Sequence, residues 1–349
     1  MKKSLIALAV LAASGASFAQ VTVTGNLTYG YQSTTAGGNG GTGSSETAGM
    51  GAETAKVVFG AQEDLGGGFA AKASMRVNTT PHGTTTGDDT SLTLVTPVGG
   101  LVMGTVKSVD YLSGGIAGVD LAYYTGWEST TNAVGASNFD KIFTARTPRD
   151  YIAFAIPVGA FTFAIAQYEA AYSTSFGTGI TGATAATSGG VSAPLTAISA
   201  TYSAGPVVAN GTYQVYKNQK GFGNGKDTTK LAASYDLGVA KLGGGLVITN
   251  LDNTGITTLS PKVTDYLLAA KIPMGASSFG LTYASRTVAD VGAATSSTGT
   301  GYSLEYGYAM SKRTSVIANY ARWTAVGAAG VAANQDASSQ YNLLLSHSF

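Results

Sequence analysis

Residues 53–78 read ETAKVVFGAQEDLGGGFAAKASMRVN, and their alternation decides the fold. In the second half Phe69, Ala71, Ala73, Met75 and Val77 are apolar, while Lys72, Ser74, Arg76 and Asn78 between them are polar. The first half repeats this less cleanly, with Ala55, Val57, Phe59 and Ala61 against Thr54, Lys56, Gly60 and Gln62. A period of two places the two sets on opposite faces of a β-strand. The joint EDLGGG (63–68) supplies the glycines that a tight reversal needs, so the stretch reads as a hairpin.

The same unit recurs along the chain. Short joints fall at 63–68, 97–100, 157–160, 204–206, near Gly238, 273–277 and 310–313. Long, low-complexity connections fall at 33–52, 79–88, 108–146, 173–193, 218–228, 251–262, 288–299 and 324–338. Alternating long and short connections join sixteen strands, and the even count returns both chain ends to one side. No helical period of useful length interrupts them.

The composition says which face meets what. Only 11% of residues are charged and 48 of 349 are glycine, against about 25% and about 7% in ordinary soluble domains. The polar face is mostly Thr, Ser, Asn, Gln and Gly, and the apolar face is rich in Phe, Tyr, Val, Leu and Ala. A wall facing lipid around a water-filled lumen gives that distribution, and only a closed barrel satisfies every backbone hydrogen bond in lipid. Nineteen tyrosines against two tryptophans, several near strand ends (Tyr29, Tyr31, Tyr123, Tyr124, Tyr168), suit an interfacial girdle. The expected fold is all-β, a sixteen-stranded antiparallel transmembrane barrel.

Other classes fall away. With no cysteine there is no disulfide scaffold, iron–sulfur cluster, cysteine-ligated zinc or thiol nucleophile. Two histidines, His82 and His347, leave no histidine-based metal or acid–base site, and a net charge of +1 argues against a nucleic-acid partner. The segment GNGGTG (38–43) matches a dinucleotide fingerprint only formally, since it lies in a loop without the strand and helix that motif needs. GFGNGKD (221–227) lacks the Ser or Thr a phosphate-binding loop requires. The chain therefore reads as a protein that is not an enzyme and takes no cofactor.

Residues 1–19 read as a cleaved signal peptide. Lys2 and Lys3 precede an apolar run from Leu5 to Ala13, then the small residues Ser17 and Ala19. The run is too short to span a bilayer, which takes about 20 residues as a helix. The barrel domain is then 20–349. At the other end Tyr341, Leu343, Leu345, His347 and Phe349 share one face, and the chain stops on an aromatic ring that a barrel-insertion machinery could recognise.

These segments resemble the Gram-negative trimeric general porins, specifically the β-proteobacterial porin family. VTVTGNLTYGY (21–31) is similar to that family's first strand, and KVVFGAQEDLGGGFAAK (56–72) to its most distinctive hairpin. LAASYDLGVAKLGGGL, YLLAAKIPMGASSFGLTYASR and YSLEYGYAMSKRTSVIANYAR resemble later hairpins, and SHSF its terminus. The resemblance implies an outer-membrane homotrimer, embedded in lipid and lipopolysaccharide, that passes ions and small hydrophilic solutes passively. It also implies that the third long loop, 108–146, folds inward and narrows the pore, a role its length suits.

Selectivity in such a pore is set by charge on inward faces. Lys56, Lys72 and Arg76 form a basic ladder on two adjacent strands. By resemblance Lys56 sits where the family usually has an inward arginine, whereas Arg76 replaces a more frequent acid. Thr105 stands at a family arginine, with Lys107 two residues on, and Arg146 and Arg149 lie near basic positions opening the sixth strand. The third loop opposes them with Asp110, Asp120, Glu128 and Asp140. A basic wall facing an acidic loop implies a mild anion preference. Two other readings remain at this point, an adhesive or structural barrel with a blocked pore, and a substrate-specific channel marked by a lumenal track of aromatics.

Overall fold

The computed structural model describes residues 20–37, 45–79, 86–107, 148–169, 194–217, 225–254, 260, 262–289, 297–324 and 337–349. They form β1 (Gln20–Ala36), β2 (Ser45–Gly66), β3 (Phe69–Asn78), β4 (Thr86–Thr96), β5 (Gly99–Lys107), β6 (Pro148–Val158), β7 (Phe161–Tyr168) and β8 (Leu195–Ala204). There follow β9 (Val207–Tyr216), β10 (Gly225–Asp236), β11 (Lys241–Leu251), β12 (Lys262–Met274), β13 (Ser277–Ala289), β14 (Ser297–Ala309), β15 (Thr314–Trp323) and β16 (Ser338–Ser348). Each strand pairs antiparallel with its sequence neighbours, and β16 returns to β1 to close the barrel. No strand edge is left to be satisfied by water, which is the condition for crossing lipid with strands.

The seam shows how closure is secured. β1 and β16 pair from Asn26↔Ser348 to Thr35↔Ser339. Two further backbone bonds of 3.0 Å, from the Gly25 N–H to the Phe349 carbonyl and from the Phe349 N–H to the Gly25 carbonyl, carry the pairing to the last residue. A Cβ at Gly25 would lie 2.2 Å from Phe349 Cζ, so only glycine lets the terminal ring lie across β1.

All seven short joints are tight turns where the sequence places them. Gly159, Gly205, Gly238 and Gly275 adopt φ of 60°, 54°, 79° and 63°, values a side chain would resist. Six of the eight long connections are shorter than the low-complexity runs suggest, while those after β5 and β7 are longer. Expected loop residues 33–36 and 45–52 belong to β1 and β2, paired as far as Ala36↔Ser45. Backbone hydrogen bonding carries the strand through Ser, Thr and Gly, although glycine is a weaker strand former than Val.

Side chains divide as the alternation requires. Leu268, Leu304, Leu343, Ile165 and Ile198 are exposed on the outer face. Outward aromatics gather in pairs toward both ends, Tyr31–Tyr341, Tyr302–Tyr320 and Tyr266–Tyr283 toward the long loops and Phe161–Tyr202 and Phe279–Tyr306 toward the short turns. The inner face is not purely polar, however. Leu267, Ile317, Trp323 and Leu344 point inward and are buried. Each stands opposite a glycine: Leu267↔Gly245, Ile317↔Gly307, Trp323↔Gly301 and Leu344↔Gly30. At Gly30 and Gly301 the partner side chain occupies the space a Cβ would take, Leu344 Cδ2 and Trp323 Cβ each lying 2.9 Å from it, so apolar surface is covered within the wall itself.

Candidate functional site, the barrel lumen

A sixteen-stranded barrel is too wide for its wall side chains to fill, so the inner face lines a cavity. One wall is formed by β2–β4. Val57 and Phe59 turn outward, which aims Lys56 inward, opposite Asn26 of β1 and Asn78 of β3. Lys72 faces inward between Gln62 and Thr93. Arg76 shares that face, so the structure brings the expected basic ladder together.

The ladder has a component the sequence reading missed. The β3–β4 register shifts between Met75 and Val77, leaving Arg76 at a bulge. Arg76 Nη1 there donates to Asp89 Oδ2 at 2.6 Å, with both side chains partly exposed. Asp89 offsets much of the Arg76 charge and leaves Lys56 and Lys72 to dominate this wall. Exposed Leu92 and Leu94 on β4 imply by parity that Asp89 faces inward, which is the signal that finds it.

The remaining expected site residues are differently placed. Lys107 and Arg149 are strand residues, opposite Pro148 and Val106 respectively, and their side chains lie outside the described residues. Arg146 and the loop acids Asp110, Asp120, Glu128 and Asp140 also lie outside them, as does the whole third loop. Thr105 is two residues beyond the outward Met103 and donates to Asp150 of β6 on that same face.

The facing wall carries charge of its own. On β12 the outward Tyr266, Leu268 and Ile272 aim Asp265 and Lys271 inward. Lys271 pairs in register with Lys241, which itself faces Asp236. Glu305 of β14 stands beyond Gly280 in the same row. Higher on the wall, Arg286 Nε donates to Asp265 Oδ1 at 2.8 Å, and both side chains are buried. Lys230 joins that row on β10, across Val247 from Asp265. Among the described inward residues cations outnumber anions by one: Lys56, Lys72, Arg76, Lys230, Lys241, Lys271 and Arg286 against Glu53, Asp64, Asp89, Asp236, Asp265 and Glu305.

Between these walls, β5–β9 are uncharged among the inward side chains described. Tyr168, expected in an outer girdle, faces the lumen instead: Phe161, Phe163 and Ile165 fix the odd positions of β7 outward, so the even ones point in. Among the described residues no arrangement resembles a nucleophile with its base. What the lumen offers a solute is width, hydrogen-bonding groups and a field.

A family model described as Gram-negative porin matches residues 5–328. No curated protein matches the chain by sequence. Among solved structures the chain is similar to the anion-selective porin from Comamonas acidovorans, at 19% identity, TM-score 0.67, covering 95% of this chain and 100% of that one. It is also similar to a loop L8 deletion mutant of OmpT, an outer membrane protein of Vibrio cholerae, at 11% identity, TM-score 0.65 and coverage of 95% and 99%. A third is a porin refined at 1.8 Å resolution, at 15% identity, TM-score 0.58 and coverage of 95% and 100%.

Proposed function

The chain belongs to the Gram-negative porin family, and on that premise we propose that this outer-membrane diffusion channel is weakly anion-selective and works as a homotrimer. The observation that carries the reading is the closed barrel itself, apolar outside and lined inside by Lys56, Lys72 and their counterparts Lys241 and Lys271. Charges in a pore with low-dielectric walls act strongly because the field is focused between them. The cationic excess among the described lumenal residues raises the local anion concentration, and the similarity to an anion-selective porin supports the sign. The pairings of Arg76 with Asp89 and of Arg286 with Asp265 keep the preference mild.

In this proposal Arg146 and Arg149 add to the basic side, and Asp110, Asp120, Glu128 and Asp140 face that side from an inward third loop. Lys107 does not add to it, because it shares the parity of the outward Met103 and Thr105. Residues 1–19 direct export and are removed, leaving the barrel to start at Gln20. The terminal ring of Phe349, on the outer face beside Gly25, is what the barrel-assembly machinery engages, and the outer rim meets lipopolysaccharide. The test is the reversal potential of single channels in a potassium chloride gradient. Lys56→Gln with Lys72→Gln moves it toward cation preference. An unchanged potential removes these residues from the selectivity mechanism.

A further inference from the structure

Four inward residues lie side by side where β6–β9 approach the long-loop end. The register runs Tyr151↔Tyr168, Tyr168↔Leu195 and Leu195↔Tyr216, one residue on each of four consecutive strands. The rings of Tyr151 and Tyr168 stack with centroids 5.5 Å apart and planes inclined by 17°. Tyr168 and Tyr216 flank Leu195, which is buried with Ala166 and Ala197 beneath them. The three rings themselves are only half-buried, so they keep surface toward the lumen.

A hydroxyl track continues the strip. Tyr216 Oη lies 3.2 Å from Thr228 Oγ1, which is 3.0 Å from Thr249 Oγ1. On the same wall Asn210 donates to Thr201 Oγ1 at 2.7 Å and accepts from Thr212 Oγ1 at 3.0 Å. No inward side chain described on β5–β9 carries charge, although the flanking walls are rich in it.

We infer that this strip is a docking track for neutral sugars entering the channel. Pyranose rings present apolar C–H faces and a rim of hydroxyls. Tyrosine faces take the former and exclude water from them, and phenolic, threonine and amide groups exchange hydrogen bonds with the latter. The described side chains of β7–β9 offer no counter-charge to a zwitterionic or charged aromatic solute. The charges at the edge of the strip are Asp89, whose field reaches Tyr151, and Arg149 in the proposal above. The lumen is thereby divided, with ions drawn along the lysine-bearing walls and neutral sugars along the uncharged one.

The inference rests on the channel reading, which conductance in potassium chloride alone tests separately. The probe is maltohexaose, added on the long-loop side of single channels, with free phenylalanine as the comparison solute. Wild type shows concentration-dependent current interruptions by maltohexaose and none by phenylalanine. Tyr168→Ala with Tyr216→Ala raises the half-blocking concentration about tenfold or more, whereas Tyr168→Phe with Tyr216→Phe retains block. Far-UV circular dichroism and heat-modifiable gel mobility show which variants are folded, and the single Tyr216→Leu serves if the double alanine variant does not fold. Absence of block in a conducting wild type overturns the assignment. Equal block in the folded ring-less variants does so too, as does interruption by phenylalanine but not by the sugar.

Discussion

Ile198 and Ser199 are neighbours on β8 and point in opposite directions. Ile198 is 54% exposed on the outer face, while Ser199 lies inward between Ala164 and Thr212. The strand runs from Leu195 to Ala204, ten residues. At about 3.3 Å per residue and a tilt near 40° it rises about 23 Å, close to the roughly 25 Å apolar band of such barrels. Ile198, three residues from the strand start, therefore sits about 4 Å from mid-membrane. An arginine on the lipid face costs about 2–4 kcal/mol at the midplane and less toward the edges, so Ile198→Arg should lose roughly 2–3 kcal/mol. At 1.4 kcal/mol per decade this is about a 30- to 140-fold change in the folding equilibrium. Ser199→Arg puts the same group into lumenal water and should cost less than about 1 kcal/mol. Guanidinium unfolding from lipid vesicles, followed by gel mobility, measures both. Equal losses, or a larger loss for Ser199→Arg, would refute the assignment of the two faces.

Further outcomes follow from the lumenal pairs and the seam. Asp89→Asn releases the Arg76 charge and should increase anion preference in the reversal potential, opposite in sign to the effect of neutralising Lys56 and Lys72. Arg286→Ala leaves Asp265 buried without its guanidinium and should destabilise the barrel by about 3–5 kcal/mol, whereas Arg286→Met with Asp265→Leu should cost far less, as denaturant midpoints will show. Gly25→Val drives its side chain into the Phe349 ring and should slow insertion into vesicles. Removing Phe349 should do the same by deleting both closing hydrogen bonds.

The strand faces were legible wherever large residues alternate with polar ones. Phe59, Met75, Leu343 and Leu345 declare the outside without help, and the inward direction of Lys56 and Lys72 follows. Parity along β4 places Asp89 inward, but its pairing with Arg76 escaped notice because β4 carries one extra residue opposite Arg76, which breaks the count between strands. Parity also cannot be carried across a connection of unknown length. Tyr168 and Tyr216 end their strands beside such connections, and a tyrosine at a strand end suits a membrane girdle and a lumenal strip equally well. The inward Leu267, Ile317, Trp323 and Leu344 contradict simple alternation because each is matched to a glycine across the sheet. That pairing exists only once the register is known. The boundaries of β1 and β2 were hidden for a different reason, since Ser, Thr and Gly hold a strand through the backbone and leave no hydrophobic mark.

The central claim, a water-filled channel through this barrel, is tested most directly by single-channel recording of the purified protein in a planar bilayer bathed in potassium chloride. Discrete, ohmic conductance steps that scale with salt concentration are the predicted result. A barrel that is folded and inserted, shown by heat-modifiable mobility and protease protection, yet never conducts would contradict it.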